Sequence, residues 1–132
     1  MVNESSDTVS AWPQESIPDN DELFMRVHHQ WTRNGIALPG AFRDHDGGMS
    51  TDWAKYSTPE ETLRRARKNP QNNGVVKLQV SKVRAIPNQT VNHTPEITNR
   101  AHTDVLGVKD EEVRLKLTRV YSWIIDPPCD PS

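Results

Sequence analysis

At 132 residues, with 33% hydrophobic residues and a formal net charge of -2, the chain has room for one compact core and not for two. Its single cysteine, Cys129, excludes an internal disulfide and a cysteine-based zinc site, and points to a reducing, cytoplasmic setting. No stretch approaches the run of about 20 apolar residues that spans a bilayer, and the N-terminus lacks the basic and apolar regions of a secretion signal, so no membrane partner is expected.

The charge is segregated along the chain. Residues 1–22 hold six acids (Glu4, Asp7, Glu15, Asp19, Asp21, Glu22) and no base. With Asp126 and Asp130 near the C-terminus, this leaves 16 bases against 10 acids in residues 23–125. Between Arg64 and Arg100 stand eight bases and one acid, Glu96. A field for anions fits this pattern, and so does a solvated basic face partly neutralised by acidic ends.

Residues 1–22 read as an acidic arm, disordered or loosely attached, with Trp12 and Ile17 as docking anchors. The folded domain is expected over 23–125, and 126–132 as a disordered tail. In Leu23 to His28, Leu23, Met25 and Val27 alternate with Phe24 and Arg26, the pattern of a first core strand. Gln30 to Gly48, punctuated by Asn-Gly, Pro-Gly and Gly-Gly, reads as a long functional loop. Met49 to Trp53 is a short strand. Thr58-Pro59-Glu60-Glu61 then starts a helix: threonine caps, proline suits the first helical position, and Glu61 completes a reciprocal capping box. That helix is expected to reach about Lys68, before Asn69-Pro70.

Gly74 to Val80 puts Val76, Leu78 and Val80 on one face of a strand, with Lys77 and Gln79 opposite. Looser apolar spacing continues through Val83 and Ile86 to a turn at Pro87-Asn88, and Gln89 to Asn92 reads as a brief strand. His93 to Asn99 is a loop and Arg100 to Leu106 a strand. Asp110 caps a final helix expected over Glu111 to Ile125, with Val113, Leu117, Val120, Tyr121 and Ile124 as its buried stripe. Two helices and four to five short strands out of alternating order predict a single α+β domain with a mainly antiparallel or mixed sheet.

On a strand beginning at Arg100, period two gathers Arg100, His102 and Asp104 on one face. There an arginine can bind an anion, the imidazole can act as acid or base, and the aspartate can orient it; the wet face of an edge strand is the simpler reading of the same row. His93 can reach His102 across a turn, which makes it a third candidate catalytic residue. Arg26, His28, Ser50 and Arg100 are the candidate ligand-binding residues. Metal ligation lacks the close-spaced His or Cys pairs it ordinarily uses, and Asp44-His45-Asp46 has no matching partner, so no metal site is expected. No G-x-S-x-G nucleophile elbow, Walker loop or G-x-G-x-x-G is present. Trp31, Trp53, Tyr56, Tyr121 and Trp123 read as core packing, because no aromatic interleaves the basic run as a base-stacking surface would require.

Ala41-Phe42-Arg43-Asp44, Met49-Ser50-Thr51-Asp52, His93-Thr94-Pro95 and Asn99-Arg100-Ala101-His102, with the basic final helix, resemble a group of small single-domain bacterial proteins of unknown function. The resemblance spans most of residues 23–125 and implies one compact bacterial domain without assigning catalytic residues. The order of Arg26 or His28, then Ser50-Thr51, then Asp104 also resembles minimal ADP-ribosyltransferase toxins. Such enzymes carry an arginine or histidine on an early strand, a Ser/Thr strand before a helix, and a late acidic strand. They usually bring a glutamate to the last place, and Asp104 is one methylene shorter. The expected function is accordingly a small cytoplasmic domain that binds a protein partner or an anionic ligand. The alternative is a nucleotide- or RNA-directed enzyme of the ADP-ribosyl-transferring kind. The cofactor is unknown, and nucleic acid remains a conceivable partner of the basic centre.

Overall fold

The computed structural model describes residues 12–45 and 47–128. Expectations placed on residues 1–11, on Asp46 and on the last four residues, Cys129 included, lie outside the described residues. The central strand is β1, Glu22–His28, whose alternation works as the sequence predicts: Leu23, Met25 and Val27 are buried toward the core, while Arg26 and His28 turn the other way. Next in chain order come a small hairpin, β2 (Thr32–Arg33) and β3 (Ile36–Ala37), and then β4, Met49–Trp53. The hairpin turns at Asn34-Gly35, both at positive φ (53° and 77°), as the mirror-image turn that joins short strands requires.

After helix α1 (Pro59–Arg64) follow β5 (Asn73–Gln79), helix α2 (Val80–Arg84), β6 (Thr90–His93), β7 (His102–Leu106), helix α3 (Glu111–Leu117) and β8 (Tyr121–Ile125). Six strands form one sheet in the order β6-β7-β4-β1-β5-β8, and its pairings are antiparallel. The α+β class and the mainly antiparallel sheet match the sequence-based expectation. The described residues hold three helices rather than two, and more strands than four or five.

The core lies on one face of this sheet. Leu23, Met25, Val27, Met49, Trp53, Val76, Leu78 and Val105 meet Val80 and Val83 of α2, Val113 and Leu117 of α3, and Phe42 from the long loop. Burying a side chain of this size stabilises by about 1.5–3 kcal/mol. Helix α1 instead packs against β1 and β5 on the opposite face, where the Thr62 hydroxyl and carbonyl meet Asp52 and Arg26.

The sequence-based boundaries need correction in several places, β6 and β7 among them, which run Thr90–His93 and His102–Leu106 rather than Gln89–Asn92 and Arg100–Leu106. Helix α1 carries the full capping box at Thr58 and Glu61 but stops at Arg64, before the basic run is finished. The stretch after Gln79 coils into α2 rather than continuing as strand. The final helix ends at Leu117, and residues 121–125 form an edge strand beside β5. Tyr-Ser-Trp-Ile-Ile also alternates at period two and is rich in aromatic and β-branched residues, a combination that favours a pleated surface. Tyr121 and Trp123 face the core side, where the Tyr121 hydroxyl accepts the Ala37 N–H and the Trp123 indole N–H donates to the Gly35 carbonyl. The edge strand thus holds the small hairpin in place.

Candidate functional site

Strand alternation builds the site on the sheet face opposite the core. Phe24 pairs with Asp52, Asp52 with His102, and Ser50 with Asp104, and directly paired residues project to the same side. Above this face a cleft of about 830 Å3 opens between the sheet, α1 and the segments around residues 30–31, 41–45 and 96–99. Its lining includes four arginines, Arg26, Arg43, Arg65 and Arg67, against two carboxylates, Asp52 and Glu96.

Asp52 is the fixed point of the cleft floor. Only 4% exposed, it accepts hydrogen bonds from the Thr62 hydroxyl (2.8 Å) and from Arg65 (2.7 Å) at one oxygen, and from the Asn99 amide (2.8 Å) at the other. A buried carboxylate survives when it is paired and fully hydrogen-bonded, and Asp52 meets both conditions. Arg65 also donates to Ser57, so its guanidinium is committed to structure.

Arg26 differs. It is half-buried in the middle of β1 and donates to the Thr62 carbonyl (2.7 Å). Among the described residues no carboxylate lies within ion-pair distance of it. Burial pushes its guanidinium below the ordinary arginine range; Asp52 opposes that shift and Arg65 adds to it. An arginine held in this way, against the cost of its own desolvation, offers its remaining N–H donors to whatever enters the cleft.

His28 lines the same cleft, its Nδ1 accepting from the Gln30 N–H (3.1 Å) and its ring lying against His29 (4.6 Å between centroids). Ser50 projects from the second position of β4. His102, at the start of β7, has a side chain 16% exposed. Its Nδ1 lies 3.0 Å from both the carbonyl and the hydroxyl of Thr94, and its Nε2 lies 3.4 Å from Ser50 Oγ. Asp104 stands at the margin of this group, 3.9 Å from His102 Nε2 and packed over Gly48, where a Cβ would come within 3.0 Å of it.

The structure therefore brings Arg26, His28, Ser50 and His102 into one cleft with Asp104 at its edge, and separates His93 and Arg100 from them. His93 is 1% exposed on the core side of the sheet, in contact with the Trp53 and Tyr56 rings. Its Nδ1 accepts the Glu15 N–H (3.0 Å), which leaves Nε2 to donate to the Arg100 carbonyl (2.7 Å), so both ring nitrogens are used in structure. Arg100 precedes β7 in a turn, because the strand starts two residues later than predicted. Its guanidinium stacks on Tyr56 (4.0 Å) and Trp12 (4.6 Å) and lies 3.6 Å from Glu15. Asp104 does not orient the imidazole as expected; the Thr94 carbonyl does.

Sequence reasoning missed Asp52, Asn99, Thr94 and the role of Arg65. The signal for Asp52 was present: two residues beyond Ser50 on the same strand, it had to share the serine's face. Thr94 and Asn99 carried no such mark, since their positions depend on the turn between β6 and β7, closed by paired hydrogen bonds between Glu96 and Asn99. Among the described residues no group of three or more His, Cys, Asp or Glu side chains is placed to hold a metal ion. No described helix is long and apolar enough to cross a membrane. Comparison of the chain with family models, with curated proteins and with solved structures finds no match.

Proposed function

We propose that the chain is a small cytoplasmic binding domain whose cleft takes an anionic ligand, with Arg26 as the principal contact and His28 and Arg43 beside it. The observation that carries this reading is the half-buried Arg26 guanidinium without a carboxylate partner among the described residues. Among the described residues no ion pair offsets its desolvation, which the Asp52 charge relieves only in part, so an incoming phosphate or carboxylate would supply the missing counter-charge. Arginine lining in excess of acid supports the same sign of ligand.

Calorimetric titration with inorganic phosphate, pyrophosphate and NAD tests it. Binding is expected for at least one, weakening as salt rises, and Arg26→Ala is expected to cost about 2 kcal/mol of affinity, the worth of a charge-assisted hydrogen bond. No heat with any of the three, or unchanged affinity in Arg26→Ala, would remove the reading.

A second reading, transfer of ADP-ribose from NAD, is favoured by one observation: Arg26, Ser50 and Asp104 arise from β1, β4 and β7, which are adjacent, and all three point to the cleft side. Release of nicotinamide from NAD, lost in Arg26→Ala, is its signature. The short acid at Asp104 counts against it, and absence of release from the folded protein would exclude it.

A further inference from the structure

We infer that Ser50 and His102 form a hydroxyl–imidazole pair able to open carboxylic esters of anionic ligands. The inference rests on the anion-binding reading only for the choice of substrate; the pair itself stands on geometry. Both Thr94 oxygens lie 3.0 Å from His102 Nδ1, and because the carbonyl can only accept while the hydroxyl can do either, a proton on Nδ1 is the arrangement that satisfies both contacts. In the neutral ring the lone pair is then on Nε2, which faces Ser50 Oγ at 3.4 Å. Such pairs are commonly loose before substrate arrives.

The Thr94 carbonyl thus fixes tautomer and ring orientation, the task an aspartate performs in a catalytic triad. Thr94 is a positioning residue and Ser50 and His102 are the reacting ones. Glu96 and Asp104, at 3.8 and 3.9 Å from Nε2, are too distant to accept a hydrogen bond from it, yet near enough to stabilise an imidazolium. The serine sits on a regular strand, which is why the absence of an elbow motif from the sequence does not exclude it.

In the first step Ser50 Oγ bonds to the ester carbonyl carbon and its proton passes to His102 Nε2. Collapse of the tetrahedral adduct breaks the carbon–oxygen bond to the alcohol, which leaves with the proton from His102. Water, deprotonated by the same nitrogen, then releases the acid and restores the serine hydroxyl. An anionic group on the ligand would lie toward Arg26, which lines the same cleft from the neighbouring strand β1.

The test uses the full chain and a neutral fluorophosphonate, whose phosphorus bonds to a reactive serine as fluoride leaves. One adduct is expected, on the peptide containing Ser50, absent in Ser50→Ala. The labelling rate is expected to fall at least a hundredfold in His102→Gln and to lose the single ionisation from its pH profile. Circular dichroism establishes that each variant is folded. No adduct on the folded wild-type chain, an adduct on another residue alone, or a rate unchanged in His102→Gln would overturn the proposal. Because the probe carries no anion, failure of the anion-binding reading would leave labelling intact, and failure of the serine pair would leave phosphate titration intact.

Discussion

Asp52 shows how one side chain can set the shape of a cleft without facing its ligand. Both carboxylate oxygens are occupied, and the partners come from α1, from the residue after it and from the turn before β7. Removing the charge leaves Arg65 largely buried opposite nothing, a loss of about 3–5 kcal/mol when one member of a buried pair is deleted. Arg65 is 28% exposed, so the lower end of that range is expected for Asp52→Ala, measured by urea unfolding; Asp52→Asn is expected to destabilise as well, because its NH2 would face a donor where Asp52 accepts on both oxygens. At this scale the sequence is informative wherever alternation alone decides the answer: Ser50, Asp52, His102 and Asp104 share a face because strands leave no choice. It misplaces Arg100 because two residues of strand boundary separate a cleft-facing guanidinium from one stacked on Tyr56.

Elements are legible in proportion to how local their causes are. The start of α1 is encoded within four residues, and both hydrogen bonds of its capping box form, at 2.9 and 3.1 Å. Thr58→Ala is therefore expected to lower stability by about 1 kcal/mol, and a melting temperature equal to wild type would contradict it. The end of α3 is a different matter. Val113, Leu117, Val120, Tyr121 and Ile124 satisfy a helical period, yet Tyr121, Trp123 and Ile125 satisfy a strand's, and only the unpaired edge of β5 decides between them. That edge lies some forty residues earlier in the chain. Ile124, placed in the buried stripe of the predicted helix, is 43% exposed on the strand. Exchanging Tyr121 for Phe would test the consequence: the Ala37 N–H loses its acceptor, and hydrogen exchange in the small hairpin is expected to accelerate while the sheet amides stay protected.

Across the whole molecule, the acidic segment before β1 acts as a strap over the core side of the sheet, opposite the cleft. Ile17 is buried, Asp19 pairs with Arg84 at 2.6 Å, and the Glu15 carboxylate meets Lys55, Tyr56 and Arg100. Hydrogen bonds from Lys55 and Tyr56, with the charges of Lys55 and Arg100, hold the Glu15 carboxyl below its ordinary value of 4.5. A depressed carboxyl contributes its stabilisation fully above the unfolded value and loses it as pH falls through the folded one. Amide exchange in residues 12–20, corrected for its intrinsic pH dependence, is expected to accelerate as pH drops below 4.5, and Glu15→Gln should already be fast at neutral pH. The overall charge segregation legible in the sequence thus has a partial structural counterpart, acids of residues 15–22 lying on bases of the body. The two chemically opposed faces of the sheet have a last consequence for folding. Sliding β1 by one position against its neighbours would drive the Arg26 guanidinium among Trp53, Leu78 and Leu117 and turn Met25 and Val27 outward, so the very polarity that suits the cleft for binding also polices strand alignment while the chain folds.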